Sequence, residues 1–377
     1  MKVLFDHQTF SIQSYGGISR YFDQLVNGIN ETSPHSADLG VWRSDNTYIN
    51  KPVPAITAPF KGRGRLLYAI NQQYCRRLIR QGKFDLLHAT YYDPYFLNNL
   101  GKKPFVITIH DMIHERLHEQ FPELKPDHFV VGKRQLAQAA SAIITVSEFT
   151  RQDVIAMLAV DPARVHVVHH ATSLASCLPA TSGLPSESPY LLFVGNRGHY
   201  KNFSALLQAF ALLTDLPSLN LYCAGGGPFS PAEHSQIAVL GLTNRVRQYP
   251  FKSDQTLAKL YAEASAFVFP SLYEGFGIPI LEAFACGCPC VVSQSSSLPE
   301  VAQQAALYID PTDPVNIAHV INELLSNPLL RSNLIQKGYE RLRAFTWQNV
   351  VNQTLDVYNS VLNSQTKCLP DLTDVRG

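Results

Sequence analysis

The sequence of 377 residues has little charge and almost no excess of either sign. Charged residues make up 16% of the chain, and 31 Lys and Arg stand against 30 Asp and Glu. Nucleic-acid-binding proteins usually carry a clear basic excess, so we expect no nucleic-acid partner. The hydrophobic fraction of 46% is large enough for a substantial core, which excludes a disordered chain.

Long apolar runs are also missing. No stretch approaches the roughly 18 uninterrupted apolar residues of a membrane span. The amino-terminal MKVLFDHQTFSIQ lacks the longer apolar core and the small-residue cleavage site of a secretory signal. The seven Cys are odd in number and scattered, as expected for reduced thiols. These absences predict a globular cytoplasmic protein.

Short apolar runs alternate with longer amphipathic stretches, which is typical of α/β proteins built from βαβ units. A Pro- and Ser-rich stretch at 171–189 predicts a linker between two Rossmann-like domains, at 1–170 and 190–345. We expect the last helix, within 346–377, to pack back on the first domain. The predicted strands are 2–6, 38–42, 84–88, 105–110, 142–146, 164–169, 190–194, 219–224, 245–249, 266–270 and 289–293.

The segment 269–293, FPSLYEGFGIPILEAFACGCPCVVS, is the most informative part of the chain. An apolar strand leads into a glycine-containing loop with Glu274, and Glu282 follows one turn inside the next helix. Gly275 and Gly277 allow close approach of the backbone to a ligand, and a helix N-terminus favours an anionic one. The two carboxylates are therefore expected at one cleft, although a bare pair of acids would usually be ordinary surface residues.

This segment resembles the E-x(7)-E signature of retaining glycosyltransferases of family 4. Other blocks of that family follow in its order: GGISRYF at 16–22, VITIHD at 106–111, VSEFTR at 146–151, GNRGHYKN at 195–202 and SSLPEV at 296–301. The resemblance implies a B-type fold, with two Rossmann-like domains facing a central cleft. It also implies transfer of a hexose from a nucleoside-diphosphate sugar.

The resemblance also implies a diphosphate site, and the residue types present are suited to one. Gly16 and Gly17 lie between the first strand and the first long helix, where backbone N–H groups can bind phosphate, although a tight turn is the plainer alternative. Arg197 and Lys201 follow the first strand of the second half and could neutralise the departing diphosphate. The family's usual basic residue before the lysine is replaced here by Tyr200.

Further roles are implied by the resemblance alone. The family residue that matches Glu282 holds the ribose, and the one that matches Glu274 contacts the transferred sugar. Backbone N–H groups at Phe276 and Gly277 assist, and Gly275 and Ile278 complete this donor loop. His110 matches a histidine near the sugar. His110, Glu274, Lys201 and Arg197 are thus the expected catalytic residues.

The acceptor side is less well defined. The aromatic residues Tyr91, Tyr92, Tyr95 and Phe96 could line a sugar-binding groove or pack in the core. We expect Tyr91, Tyr92, Asp111 and Ser147 on the acceptor side. Residues 51–84 carry eight basic side chains and no acid, so 61–80 is predicted to touch an anionic membrane or to be a solvated face. The basic residues are Lys51, Lys61, Arg63, Arg65, Arg76, Arg77, Arg80 and Lys83.

Two metal-binding patterns compete with this interpretation. His114-Glu115-x-x-His118 matches the H-E-x-x-H of zinc proteases, but Pro122 leaves little room for a long helix. The chain contains no D-x-D, the diphosphate–metal anchor of A-type glycosyltransferases. We therefore expect neither a metal nor another cofactor.

The sequence thus predicts a retaining hexosyltransferase of polysaccharide or lipopolysaccharide biosynthesis that acts on a glycan or lipid-linked glycan. GDP-mannose is the expected donor, since GNRGHYKN resembles bacterial surface-polysaccharide mannosyltransferases, and a UDP-sugar is the alternative. A zinc protease, a non-catalytic nucleotide-sugar-binding scaffold and a nucleotide-sugar isomerase of the same fold stay open at this point.

Overall fold

Two parallel β-sheets organise the protein in a computed structural model that describes residues 1–49, 61–124, 128–174, 188–251 and 253–367. The chain divides into two compact units. Unit 1 comprises 1–118, 124–170 and the chain from Trp347 onward, and unit 2 comprises 119–123 and 171–346. Most of the expected linker, 175–187, lies outside the described residues, as does Lys51.

The sheet of unit 1 has six described strands in the order β2-β1-β3-β4-β5-β6, all parallel. The strands are β1 (Lys2–Phe5), β2 (Ser36–Leu39), β3 (Leu86–Ala89), β4 (Phe105–Ile109), β5 (Ala142–Thr145) and β6 (Val165–Val167). The helices are α1 (Gln8–Ile12), α2 (Gly17–Thr32), α3 (Arg63–Gln81), α4 (Leu97–Leu100), α5 (Ile113–Leu117), α6 (His128–Ala139) and α7 (Glu148–Leu158). Strands β3, β4 and β5 are buried along their whole length because helices cover both faces of such a sheet.

Unit 2 repeats this plan with six described strands in the order β12-β11-β10-β7-β8-β9. The strands are β7 (Tyr190–Val194), β8 (Asn220–Ala224), β9 (Val246–Tyr249), β10 (Ala266–Phe269), β11 (Cys290–Ser293) and β12 (Ala306–Ile309). The helices are α8 (Phe203–Leu212), α9 (Pro231–Val239), α10 (Asp254–Glu263), α11 (Ile278–Ala285), α12 (Leu298–Ala302), α13 (Pro314–Ser326) and α14 (Pro328–Leu342). The strand order reverses between β7 and β10, which is where open α/β sheets bind ligands.

The last helix, α15 (Trp347–Lys367), returns to unit 1 and packs against α2. Gly28 of α2 makes this approach possible, since a Cβ atom there would lie 2.6 Å from Val351 Cγ2. The Tyr358 hydroxyl also contacts the ring of buried His88 on β3. Within the described ranges, no helix combines the length and the apolar character that crossing a membrane requires.

The predicted α/β class is confirmed, with two exceptions among the strands. β2 begins at Ser36 rather than Asp38, because its pairing with β1 places Ala37 in the core. The sequence analysis missed β12, a four-residue edge strand that pairs only with β11 among the described strands. Edge strands need little apolar sequence, so both errors fall where the signal is weakest.

Candidate active site

Two of the expected residues meet at the point where the strand order of unit 2 reverses. Lys201 lies in the loop after β7, and Glu274 lies in the loop after the neighbouring strand β10. The Lys201 ammonium donates a hydrogen bond of 2.5 Å to Glu274 Oε1, and these side chains are only 14% and 11% exposed. The structure therefore joins the predicted cation and the predicted sugar-binding carboxylate in one ion pair.

The SSLPEV block holds the Glu274 loop in place. Ser296 Oγ accepts a 2.9 Å hydrogen bond from the Glu274 N–H. The fully buried Ser297 hydroxyl bonds to the carbonyl oxygens of Glu274 and Phe276, at 2.9 and 3.0 Å. The sequence analysis noted this block but assigned these serines no role. Ser296 and Ser297 follow β11, the neighbour of β10, and this position could have indicated that their hydroxyls reach the Glu274 loop.

The turn into α11 depends on Gly277, which has φ +104° and directly precedes the helix. A Cβ atom at this position would lie 2.8 Å from Leu298 Cδ2, so a larger residue would be both strained and crowded. Gly275 and Phe276 are buried in the loop, and Ile278 is the first residue of α11. The predicted donor loop is therefore a single well-packed turn.

Glu282 is the fifth residue of α11 and is partly exposed. Its Oε2 accepts a 2.9 Å hydrogen bond from the hydroxyl of Tyr261 on α10. Burial, together with the nearby carboxylate, raises the pKa of Tyr261 well above its usual value, so this hydroxyl stays a donor. Tyr261 thus orients Glu282, a partner that the sequence analysis did not identify.

Arg197 differs from its predicted role. Its Nε donates to Glu233 Oε1 at 2.6 Å, and its Nη atoms donate to the carbonyl oxygens of Gly225, Gly227 and Pro228 at 2.9, 2.9 and 3.0 Å. Its side chain is only 3% exposed. We therefore correct its expected role as a second diphosphate cation: this guanidinium organises the loop after β8.

That loop contains three consecutive glycines with φ of +88°, +70° and +71°, at Gly225, Gly226 and Gly227. Ser230 and Glu233 then form a capping box at the start of α9. Burial acts to raise the pKa of Glu233, but the Ser230 N–H and the Arg197 guanidinium hold it below its usual value. Three glycines directly after a strand were a readable signal that the sequence analysis missed.

A cavity of about 830 Å³ opens between the loops after β7 and β8. Its lining includes Asn196, Arg197, Asn202, Gly226 and Glu233, whereas Lys201 and Glu274 lie outside that lining. Asn202 joins the β7 loop to the end of β10 through its side-chain amide, which donates to the carbonyl of Pro270 at 3.2 Å. Lys201 is the residue directly before Asn202, a member of the wall of this cavity in unit 2.

In unit 1, the predicted glycine pair begins α2. Gly16 is the N-cap, and a Cβ atom there would lie 2.4 Å from Gln13 Oε1. That oxygen accepts a 3.3 Å hydrogen bond from the Ser19 N–H and so caps the helix. A Cβ atom at Gly17 would meet no atom within 4 Å, which leaves the approach to this helix terminus open.

His110 follows β4 and is buried. Burial is the main cause that lowers its pKa to about 3, so its ring is neutral near pH 7. Its backbone N–H donates to the Tyr92 hydroxyl at 3.1 Å, and its ring stacks on His170 with centroids 5.5 Å apart. Its Nε2 has no hydrogen-bond partner among the described residues. A neutral imidazole of this kind can exchange a hydrogen bond with a ligand hydroxyl.

Two of the residues expected on the acceptor side are structural. Tyr92 is buried, and Tyr91 stacks on it with centroids 4.5 Å apart. Ser147 is fully buried, and its oxygen caps α7 by accepting a 3.0 Å hydrogen bond from the Thr150 N–H. Asp111 is partly exposed, and its Oδ1 accepts from the Ile113 N–H at 3.2 Å. Tyr92 and Ser147 are thus corrected, since neither offers an accessible polar group.

The H-E-x-x-H segment is not arranged as a zinc site. Glu115 forms an ion pair of 2.9 Å with the buried Lys133. His118, the C-cap of the short helix α5, has its Nδ1 3.0 Å from the carbonyl oxygen of His114. A zincin needs both histidines and a free glutamate at one open metal, so the zinc-protease alternative is wrong.

Known proteins resemble this chain in sequence and in fold. The family models "Glycosyltransferase Family 4" and "Glycosyl transferases group 1" match residues 15–175 and 178–341. The chain is 30% identical to the O-antigen chain mannosyltransferase B of Escherichia coli, over 78% of each chain. Sucrose-phosphate synthase of Thermosynechococcus elongatus shares the fold with a TM-score of 0.75 at 20% identity, over 96% of this chain and 99% of that one. Anabaena HepE in complex with UDP and glucose also has a TM-score of 0.75, at 18% identity over 96% and 100%.

These matches extend over both units and over every block that the sequence analysis singled out. The fold is the B-type fold of glycosyltransferases, as the two structural neighbours show. The chain belongs to the glycosyltransferases that combine a family 4 first half with a group 1 second half.

Proposed function

We propose that this glycosyltransferase moves a hexose, with retention of configuration, from a nucleoside-diphosphate sugar to a glycan or lipid-linked glycan. The best candidate is mannose from GDP-mannose, in the synthesis of a surface polysaccharide or lipopolysaccharide. The observation that carries the proposal is the Lys201–Glu274 ion pair where the strand order of unit 2 reverses.

The pair suits a diphosphate sugar because each member has a second use. A diphosphate that enters beside Lys201 gives the ammonium a new anionic partner and can stabilise the charge that develops on the leaving group. Glu274 then becomes available to accept hydrogen bonds from sugar hydroxyls. Until the donor binds, the two side chains satisfy one another, so neither charge is buried alone.

We assign Glu282 to the ribose. A carboxylate that already accepts one hydrogen bond from Tyr261 keeps a fixed orientation and can accept from a vicinal diol, which gives charge-assisted contacts. This division leaves Glu274 for the transferred sugar, so the two carboxylates serve different parts of the donor.

Retention is best explained by attack on the face that the diphosphate leaves. The bond from the anomeric carbon to the diphosphate oxygen breaks, and a bond to the acceptor oxygen forms on the same face. The acceptor proton passes to the departing phosphate oxygen. Lys201 stabilises the diphosphate, and neutral His110 positions a sugar hydroxyl, so no protein carboxylate needs to become a nucleophile.

One relative supports GDP-mannose as the donor, whereas one structural neighbour favours a UDP-sugar. The O-antigen mannosyltransferase supports mannose, whereas HepE was solved with UDP and glucose, which keeps UDP-glucose as the second candidate. The test incubates the protein with each donor and methyl α-D-mannopyranoside, and follows nucleotide release and the first-formed glycoside by NMR. We expect faster release from GDP-mannose and an α-linked product.

An inverted product would overturn retention, and faster release from UDP-glucose would reassign the donor. Binding of both donors without release of nucleotide would instead indicate a non-catalytic scaffold.

We also propose that no metal is needed, because Lys201 supplies the positive charge. Full turnover in excess chelator is expected, and loss that added manganese or zinc restores would contradict this.

We further propose peripheral contact of α3 with an anionic membrane at the cytoplasmic face. Arg65, Arg77 and Arg80 are exposed along one side of the helix, whereas Arg76 lies 5.7 Å from the Tyr95 ring centroid. Charge reversal at Arg77 and Arg80 should release the protein from acidic vesicles. The double variant Gln73→Glu/Gln81→Glu adds negative charge to the same helix but keeps both arginines, so it should release the protein less. Equal sedimentation with neutral vesicles would make the helix a solvated surface.

A further inference from the structure

Unit 1 contains a buried ion pair beside the end of β4. Lys133 of α6 and Glu115 of α5 have side chains that are only 3% and 8% exposed. The Lys133 ammonium lies 2.9 Å from Oε1 and 3.0 Å from Oε2 of Glu115, so it contacts both carboxylate oxygens. Two apolar side chains of similar volume would often stabilise a protein as well as a buried ion pair does. A contribution to stability therefore does not by itself explain this pair.

The same ammonium binds the backbone directly after His110. Lys133 Nζ donates a 3.1 Å hydrogen bond to the carbonyl oxygen of Asp111, where the chain leaves β4. An exposed lysine samples many rotamers, whereas this one is confined by burial and by Glu115. Lys133 thus holds the exit of β4 in one place.

Tyr92 connects this lysine to the histidine itself. The Tyr92 hydroxyl accepts the 3.1 Å hydrogen bond from the His110 N–H, and Lys133 Nζ lies 4.9 Å from the centroid of the Tyr92 ring. A cation at this distance from an aromatic ring is attracted to it. His110 and Asp111 are therefore held at successive residues, one by the tyrosine hydroxyl and one by the lysine, and these two side chains contact each other.

The close packing of α6 makes this arrangement possible. A Cβ atom at Gly132 would lie 1.9 Å from the carbonyl oxygen of Tyr92, so the helix can approach this far only with glycine there. Phe129, one turn earlier, packs edge-on against Tyr91 with ring centroids 5.0 Å apart. Gly132 directly precedes Lys133, so the close approach brings the ammonium to the end of β4.

The helix that carries Glu115 is also fixed in place. Helix α5 begins two residues after Asp111, and Arg116 Nε lies 3.1 Å from each carboxylate oxygen of Asp153. Asp153 belongs to α7 and is 2% exposed. A five-residue helix has little stability of its own, so these ion pairs determine where α5 lies. The H-E-x-x-H segment, which forms no zinc site, thus supplies in Glu115 the partner of Lys133.

We propose that Lys133, oriented by Glu115, is a positioning residue that holds the His110 imidazole where it meets the sugar hydroxyl. His110 Nε2 has no hydrogen-bond partner among the described residues, so that atom is left for a ligand while the backbone bonds and ring contacts hold the residue. This inference rests on the proposed function, because it concerns the sugar contact assigned there to His110.

Replacement of the whole ion pair separates positioning from stability. Lys133→Met leaves the Glu115 carboxylate buried without its partner, which should lower the melting temperature by roughly 6–20 °C. The double variant Lys133→Met/Glu115→Leu should melt near the wild type, because two apolar side chains of similar volume replace the pair. Its turnover at saturating donor should still be at least about tenfold below wild type, since a misplacement of about 1 Å can cost about 100-fold.

Tyr92→Phe tests the second contact, because it removes the hydroxyl and keeps the ring. We expect lower turnover with unchanged affinity for GDP and UDP in calorimetry, since the nucleotide is assigned to unit 2. Arg134→Met is the matched control, because it removes the exposed basic side chain next along α6 and should change neither turnover nor melting. Turnover within a factor of about 3 of wild type in the double variant would overturn the inference. Should the double variant not fold, Tyr92→Phe decides by the same criterion.

NMR of the histidine rings distinguishes failure of this inference from failure of the proposed function. In protein labelled with 15N-histidine, the ring signals of His110 are assigned by their loss in His110→Gln. We expect these signals to move in the double variant, whereas those of the exposed His234 in unit 2 stay unchanged. Unmoved His110 signals would overturn the inference whether or not the wild type turns over a donor. Moved signals in a protein that releases nucleotide from no donor would support positioning by Lys133 and overturn the proposed function.

Discussion

The loop after β7 carries two cations, and each of them is paired with a carboxylate. Arg197 pairs with Glu233 through its Nε and donates through both Nη atoms to backbone carbonyls of the glycine loop after β8. Lys201 pairs with Glu274, and its ammonium also lies 5.3 Å from the centroids of the Tyr200 and Phe269 rings. The two pairs are thus similar in charge, and the Arg197 pair also holds several backbone carbonyls of a neighbouring loop.

This difference suggests different roles for the two pairs. Several backbone groups lose their partner if Arg197 is removed or turns toward a ligand, so it holds the loop in place. The partner of Lys201 is a carboxylate side chain, which a phosphate can replace as the anionic partner of the ammonium. The backbone carbonyls bound by Arg197, rather than the sign of the charge, mark the structural cation.

The largest expected effect follows from replacing Lys201. Lys201→Ala should lower turnover at saturating donor by roughly 100-fold or more, the usual loss for one preorganised donor in the transition state. Steady-state kinetics measures this, and an unchanged thermal unfolding profile is the control for an intact fold. Turnover within a factor of about 3 of wild type would remove Lys201 from the donor site.

The next largest effect separates the two carboxylates of the signature. Glu282→Ala should weaken binding of the bare nucleoside diphosphate by about 10- to 150-fold, because charge-assisted contacts are worth roughly 1.5–3 kcal/mol. Glu274→Ala should leave that affinity nearly unchanged and depress turnover instead. Calorimetry with GDP and UDP, run beside kinetics, measures both effects.

Tyr261→Phe is the matched control for Glu282, because it removes only the hydroxyl that orients the carboxylate. A smaller loss of nucleotide affinity than in Glu282→Ala is expected. Equal losses of bare-nucleotide affinity in Glu274→Ala and Glu282→Ala would show that the roles are divided wrongly. Normal binding and turnover in both would make the segment purely structural.

A smaller effect, on stability rather than chemistry, is expected for Arg197. Arg197→Met keeps the aliphatic volume but leaves Glu233 and several carbonyls without their donor, which costs about 1–3 kcal/mol. For a unit of this size the melting temperature should fall by a few degrees, roughly 2–4 °C per kcal/mol. A loss of turnover as large as in Lys201→Ala with unchanged melting would restore the original assignment of Arg197 to the diphosphate.

The smallest effect concerns the partner of Arg197 and its pH dependence. Since the folded state holds the pKa of Glu233 below its usual value, its stabilisation is present above the unfolded carboxyl pKa and is lost as the pH falls through the folded pKa. Glu233→Gln should therefore melt slightly below wild type at pH 7, and the gap should narrow below about pH 4.5. A gap that widens on acidification would contradict this sign.

Sequence signals within one segment predicted the secondary structure correctly where that segment alone determines it. Apolar runs at Phe105–Ile109 and Tyr190–Val194 predicted strands that the structure confirms. The spacing of Glu274 and Glu282 placed one carboxylate in a loop and one in a helix, as observed.

The errors concern burial and partner choice between distant segments. Arg197 and Lys201 look equivalent in sequence, and only the glycine loop after β8 distinguishes them. Tyr92 and Trp42 are both aromatic residues that follow a strand, yet Tyr92 is buried and Trp42 is half exposed. Exposure depends on which helices cover the sheet, which a single segment does not encode.

The sequence by itself determined the α/β class, the positions of most strands, and the motif that holds both carboxylates. These features follow from hydrophobic periodicity, capping and glycine conformation, all of which act within about ten residues of the chain. The tertiary structure alone decided the strand order, which brings the loops after β7 and β10 together and so pairs Lys201 with Glu274. It also decided that Arg197 bonds to Glu233 and to the glycine loop, and that Trp42 is half exposed. Hydrogen bonds and burial of this kind join residues that are far apart in sequence, so they exist only once the sheets have formed.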